Sequence, residues 1–171
     1  MVKEAVLFIC SFNSARSRIA EGLLASRCGN RYAVYSAGIA PVLVNPNAAA
    51  VMHEIGIDIT NHGSTSVAAI RHVKFNYVVT LCDHVLKSNI PLPDGGIRFH
   101  RNFITPCEIR ENRDEVLADF RKLRDRIDAY LTEIFPDNSS LGETAPIGDR
   151  AYGMVDPTRI SPRMRISGGR T

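Results

Sequence analysis

Cys10 is followed six positions later by Arg16 and then by Ser17, with Ser11, Phe12, Asn13, Ser14 and Ala15 between them. Most of the intervening residues are small or polar. A loop of this length between a strand and a helix turns several backbone N–H groups inward, and the helix N-terminus adds partial positive charge. The product is a nest for a tetrahedral oxyanion, with Ser11, Phe12, Asn13, Ser14 and Ala15 supplying its backbone. Arg16 has the planar fork that grips two oxygens at once. With Ser17 donating a hydrogen bond, such surroundings favour a thiolate over a thiol. A thiolate facing a bound phosphate-like ion is a nucleophile set for in-line attack. The same pair also fits a buried cysteine ending a strand and an arginine on a helix surface. The small loop residues, Ser17 and the flanking elements favour the chemical reading.

Those elements are legible. Ala5 to Ile9 is a continuous apolar run, as in a strand covered on both faces. Ile19, Leu23 and Leu24 recur at helical spacing, with Arg18 and Glu21 off the stripe, and Gly29-Asn30 reads as the helix stop. Ala33 to Ser36 is a second strand. Pro46 and Asn47 open a helix that runs to Gly56. A short helix is expected from Ser66 to His72, capped by Ser64 or Thr65. Tyr77 to Leu81 is the next buried strand, followed by a Pro-rich stretch and a weaker strand from Ile97 to Phe103. Val116, Leu117, Phe120, Leu123, Ile127, Tyr130, Leu131 and Ile134 define a long amphipathic helix. Strands alternating with helices indicate a parallel α/β sheet.

The chain has 171 residues, 44% of them hydrophobic, which suits one domain with a core of its own. We read residues 1–135 as that domain. Residues 136–171 are rich in Pro, Gly, Ser and Arg, lack an apolar period, and are expected to form a mobile tail. Tyr152, Met154 and Val155 offer the alternative of a docking anchor. The net charge of +3 is dispersed and points to no nucleic-acid or membrane partner. No apolar run spans a bilayer and no signal-peptide pattern opens the chain, so a soluble cytoplasmic protein is expected. The four cysteines, Cys10, Cys28, Cys82 and Cys107, show neither C-x-x-C nor zinc spacing. No metal site or cofactor follows from them, and Cys28 reads as a packing residue.

A family resemblance rests on Cys10, Asn13, Ser14, Arg16, Ser17 and Glu21. It extends through Val34-Tyr35-Ser36-Ala37-Gly38-Ile39, Val44-Asn45-Pro46, Gly56-Ile57-Asp58-Ile59 with Asn61-His62, and Val78-Val79-Thr80-Leu81-Cys82-Asp83. The chain resembles the low-molecular-weight protein tyrosine phosphatases over about residues 4 to 135, and more closely the arsenate reductases built on the same fold. The resemblance implies a four-stranded parallel sheet flanked by helices, flavodoxin-like, with the loop at the carboxyl ends of the strands. That is where open α/β sheets bind ligands.

The resemblance also implies roles. Cys10 matches the cysteine that attacks arsenate, and Cys82 the one that attacks Cys10 and releases arsenite. A third, resolving cysteine belongs where this chain has Asn89, followed by Ile90-Pro91. Thioredoxin or a small thiol restores the thiols. The general-acid Asp before Pro is Thr105 here, and Thr lacks a carboxylic acid's acidity. General acid catalysis is worth about 10²–10⁴-fold, so hydrolysis of alkyl phosphates is expected to be poor and of aryl phosphates less so. Cys107, two residues on, is a candidate substitute resolving thiol. Asn13, Glu21 and Ser36 match positions around a monovalent cation in some relatives. The Asp completing that set is Thr65 here, so weak binding or none is expected. Asn61 and His62 match a stretch that supports the loop. The leading expectation is an arsenate reductase-like enzyme taking an arsenate or phosphate-type oxyanion. The alternatives are an aryl phosphate or phosphotyrosine phosphatase, and a non-catalytic oxyanion-binding or redox-sensing module.

Overall fold

The computed structural model describes residues 2–61, 63–109 and 112–136. The expected tail and His62 lie outside these residues, apart from Pro136. The elements are β1 (Glu4–Cys10), α1 (Arg16–Cys28), β2 (Tyr32–Gly38), α2 (Pro46–His53), α3 (Val67–Ile70), β3 (Phe75–Thr80), α4 (Asp83–Lys87), β4 (Gly95–His100) and α5 (Arg113–Ile134). The four strands form one sheet in the order β2-β1-β3-β4, and every pair is parallel.

Val6, Leu7, Phe8 and Ile9 are all fully buried, so the apolar run of β1 is covered on both faces. α1 packs on β1 and β2 and on α5, and α5 also meets α2. Burial along α5 falls on Val116, Phe120, Leu123, Ile127, Tyr130, Leu131 and Ile134, the period read from the sequence. The Asn112 side chain caps that helix by accepting from the Asp114 N–H. α2 starts at Pro46 as expected, capped by the Asn45 side chain, and ends at His53 rather than Gly56.

Several boundaries differ from expectation. β2 runs from Tyr32 to Gly38 because the seven-residue ladder of β1 pairs it from Glu4↔Tyr32 to Cys10↔Gly38. α3 covers only Val67–Ile70 and is capped by Ser66, not by Ser64 or Thr65. Ser64 lies elsewhere, its hydroxyl shared between the carbonyls of Asn13 and Val42. β4 is Gly95–His100 rather than Ile97–Phe103. A Cβ at Gly95 or Gly96 would sit 2.7 Å from the Phe75 carbonyl oxygen or 2.5 Å from that of Asn76. The glycines that read as loop therefore admit a close strand approach. The Pro-rich stretch after β3 begins with a short helix, α4. Arg18, expected on the outer face of α1, is 2% exposed. Its guanidinium donates to Glu21 Oε2 at 3.1 Å and to the Ile59 carbonyl, and those partners offset its burial.

Candidate active site

β1 ends at Cys10 and α1 begins at Arg16, so the loop read from the sequence joins a central strand to a helix N-terminus. The carbonyls of Cys10, Ser11, Phe12 and Ser14 accept from the N–H groups of Ile39, Ala40, Val42 and Asn45. This strap holds the loop's carbonyls outward, so that its N–H groups are left for the concave side. Gly38 makes the close approach possible, since a Cβ there would lie 2.6 Å from the Asn13 nitrogen. Ala15, the residue before α1, makes no side-chain cap bond. The helix's positive end thus faces the loop with no side chain of its own across it.

Asn13 organises the interior. It is fully buried with φ +48, a left-handed conformation that Asn tolerates better than most side chains. Its Oδ1 accepts from the Thr65 N–H at 2.7 Å. Its Nδ2 donates to Ser17 Oγ at 2.9 Å and to Ser36 Oγ at 2.8 Å. An amide nitrogen only donates, so Ser17 Oγ accepts there and keeps its own proton for Cys10 Sγ, 3.0 Å away. Ser36 in turn donates to Glu21 Oε2 at 2.6 Å, and Glu21 pairs with Arg18. The set associated with a cation by resemblance thus lies next to a guanidinium. Among the described residues no group of three or more His, Cys, Asp or Glu side chains is placed to hold a metal ion.

Arg16 is half-buried and donates from Nη1 to the Phe103 carbonyl at 3.0 Å. Phe103 N–H donates to the Leu81 carbonyl at 3.0 Å, and Asn45 Nδ2 donates to Glu108 Oε1. The segment that carries Thr105 and Cys107 is therefore anchored on both sides beside the loop. Thr105 is half-buried and Cys107 exposed. Phe12 is 48% exposed at the loop's rim. Cys28 packs in the core.

Cys82 is 3% exposed and immediately precedes α4. The β1/β3 register pairs Ile9 with Thr80, and two residues further on it brings Ser11 beside Cys82. Ser11 Oγ lies 3.3 Å from Cys82 Sγ. Side chains alternate along each strand, so Ser11 and Cys82 share one side while Cys10 turns to Ser17 on α1. The register brings Ser11 beside Cys82, while hydrogen bonds join Cys10, Ser17 and Asn13, and Arg16 is held to the Phe103 carbonyl.

Two histidines join the site that sequence reasoning missed. His84 Nδ1 is 3.2 Å from Ser11 Oγ. His100 Nε2 is 3.0 Å from Asp83 Oδ1, with its Nδ1 2.7 Å from Thr80 Oγ1. The one local hint was that His84 and Asp83 directly follow Cys82.

The family model for low molecular weight phosphotyrosine protein phosphatases matches residues 5–145 of this sequence. The chain belongs to that family. It is 39% identical over 127 residues to the arsenate reductase of Halalkalibacterium halodurans, covering 74% of this chain and 91% of that relative. A solved structure of an arsenate reductase in the phosphate binding state superposes with a TM-score of 0.59 at 27% identity, over 77% of this chain and 95% of the other. A Corynebacterium glutamicum thioredoxin-dependent arsenate reductase gives a TM-score of 0.54 at 25% identity, over 77% of this chain and 62% of that one. The four-stranded parallel sheet flanked by helices is the fold of this family, and its relatives are enzymes. Among the described residues no helix is long and apolar enough to cross a membrane.

Proposed function

We propose that this protein is an arsenate reductase in which Cys10 and Cys82 supply the two electrons. The observation that carries the reading is the second thiol, buried beside the oxyanion loop at 3.3 Å from Ser11 Oγ. Hydrolysis of a phosphate ester has no use for it beyond protecting Cys10 in a reversible disulfide. The oxyanion sits on the N–H groups of Ser11 to Arg16, with the α1 dipole behind it. Arg16 turns part of its fork to the oxygens while Phe103 fixes its reach. Cys10 sulfur, held by Ser17, attacks arsenic(V) and displaces one oxygen as water, forming a sulfur–arsenic bond. Cys82 thiolate then attacks Cys10 sulfur. A disulfide forms, the sulfur–arsenic bond breaks, and its electron pair leaves on arsenic(III) as arsenite. An external thiol, thioredoxin or a small-molecule thiol, reduces the disulfide. Cys107, exposed on the segment beside the loop, is the candidate for an intermediate exchange that frees Cys10 and leaves a Cys82–Cys107 disulfide for the external thiol to reduce.

The experiment is mass spectrometry of the reduced protein quenched after one equivalent of arsenate. The expected product is a Cys10–Cys82 or Cys82–Cys107 link, lost in Cys82→Ser. Full-rate arsenite release by Cys82→Ser would place the second attack on a small thiol instead. No thiol oxidation in any variant overturns the reductase reading. The family match supports a second reading, hydrolysis of aryl phosphates on the same Cys10 nucleophile. It predicts turnover of p-nitrophenyl phosphate without thiol oxidation. An oxyanion-binding or redox-sensing module predicts neither turnover.

A further inference from the structure

Cys82 is buried, and a buried thiol must lose its proton before it can attack. Among the described residues its sulfur meets Ser11 Oγ at 3.3 Å, and that hydroxyl has a second neighbour, His84 Nδ1 at 3.2 Å. His84 is exposed to solvent. The three groups form a line from a buried sulfur to an exposed imidazole, running through a hydroxyl that both donates and accepts.

We propose that His84 takes the Cys82 proton through Ser11 as Cys82 attacks. This rests on the reductase reading for its biological use, and the chemistry is separable from it. The thiol proton passes to Ser11 Oγ, and the Ser11 proton passes to Nδ1 of neutral His84, whose own proton sits on Nε2. The thiolate's electron pair forms the bond to Cys10 sulfur. The imidazolium left behind hands its proton to water. His84 touches neither sulfur and is a positioning residue for the proton, acting through Ser11.

The surroundings leave His84 available for this. On α4 its titratable neighbours are Asp83 and Lys87, and Asp83 is taken by His100 of β4 at 3.0 Å. On the oxyanion loop, Cys10 is held by Ser17 and Arg16 by the Phe103 carbonyl. The Asp83–His100 contact and the bond from Asp83 N–H to Asn102 Oδ1 at 3.2 Å pin the start of α4, which fixes where the imidazole is presented.

The test forms the same disulfide by two routes. One uses a single equivalent of arsenate. The other uses hydrogen peroxide alone, which converts Cys10 thiolate to a sulfenic acid that Cys82 attacks with loss of water. The rate of Cys10–Cys82 formation is followed by quench and mass spectrometry from about pH 5.5 to 9, spanning ordinary imidazole and thiol titration. The native protein is expected to form the disulfide readily at neutral pH. His84→Asn keeps a hydrogen-bond acceptor for Ser11 but no base. It should run about 10-fold slower at neutral pH and recover as rising pH lets hydroxide take the proton instead. Imidazole added to His84→Gly should restore part of the rate. An unchanged rate and pH profile in His84→Asn by the peroxide route overturns the proposal. A His84-dependent peroxide reaction beside no arsenate reaction in native protein would support the relay and discard the reductase reading.

Discussion

Two buried clusters share β1, and they are built on opposite terms. From Cys10 a chain of directional contacts runs outward: Ser17, Asn13, Ser36 and Glu21 follow one another by hydrogen bonds. Around Phe135, fully buried just past α5, the contacts are aromatic edges from Phe8, Tyr32, Tyr77 and Phe99, with centroids 5.2–6.4 Å apart. Phe8 and Cys10 are two residues apart on the same strand. The aromatic cluster stabilises the fold by the area it removes from water, which is non-directional. The polar cluster contributes less net stability per bond and fixes atomic positions instead. Damage to the first should cost fold before chemistry, and damage to the second chemistry before fold.

The sharpest way to break that division is Cys10→Ser. Turnover should fall about 10⁴-fold or more in both arsenate and aryl phosphate assays. Thermal unfolding should barely move, and oxyanion binding should persist, because the nest is backbone and Arg16. Residual turnover near the native rate would sink the division at its centre. Phe135→Ala is the converse. It should cost about 3–5 kcal/mol in denaturant unfolding, while the fraction still folded keeps its activity. A loss of activity out of proportion to unfolding would show that the clusters are not separable.

Thr105→Asp probes a smaller effect at the polar end. A carboxylic acid next to Pro106 should raise p-nitrophenyl phosphate hydrolysis by about 10²-fold. An unchanged rate would mean another group already gives the proton, or that the Arg16-anchored segment presents residue 105 away from the leaving group. The smallest effect belongs to the aromatic end. Among the described residues no partner faces the buried Tyr32 hydroxyl, and burial above all pushes its pKa up to about 12. A raised folded pKa gives stability that is complete below the ordinary tyrosine range and lost as pH climbs toward that value. Tyr32→Phe should therefore be neutral or stabilising by about 1 kcal/mol at neutral pH, and should blunt the alkaline loss. Tyr130, likewise raised to about 12 by burial, and Tyr77, also pushed up chiefly by burial, keep the remainder. Alkaline titration of unfolding in both proteins decides it.

The parts of this molecule that sequence makes legible are those written in local spacing. The apolar run of β1, the period of α5 and the small-residue loop from Cys10 to Ser17 each carry their signal within a few residues. What stayed hidden depends on residues far apart in the chain. Ser11 meets Cys82 and His84 across 71 and 73 positions, and only the parallel register of β1 with β3 brings them together. Arg18 reads as a surface charge because the backbone that receives it, at Ile59, lies 41 residues on. The cap of α3 is Ser66 because the helix begins only at Val67, while Ser64 turns its hydroxyl to the carbonyl of Asn13, far upstream. Gly95 and Gly96 look like loop until a neighbouring strand shows why a Cβ is unwelcome.

The strap over the oxyanion loop has a consequence for watching the site at work. Its amides at Ile39, Ala40, Val42 and Asn45 are each bonded to a loop carbonyl, on the side away from any ligand. Their exchange with deuterated solvent requires the loop to let go, so they report its opening without touching the ligand. An oxyanion that binds only the closed loop must slow all four together, by an amount that grows with its concentration over its dissociation constant. Four backbone hydrogens on the outside of the site thus form a gauge of occupancy on the inside.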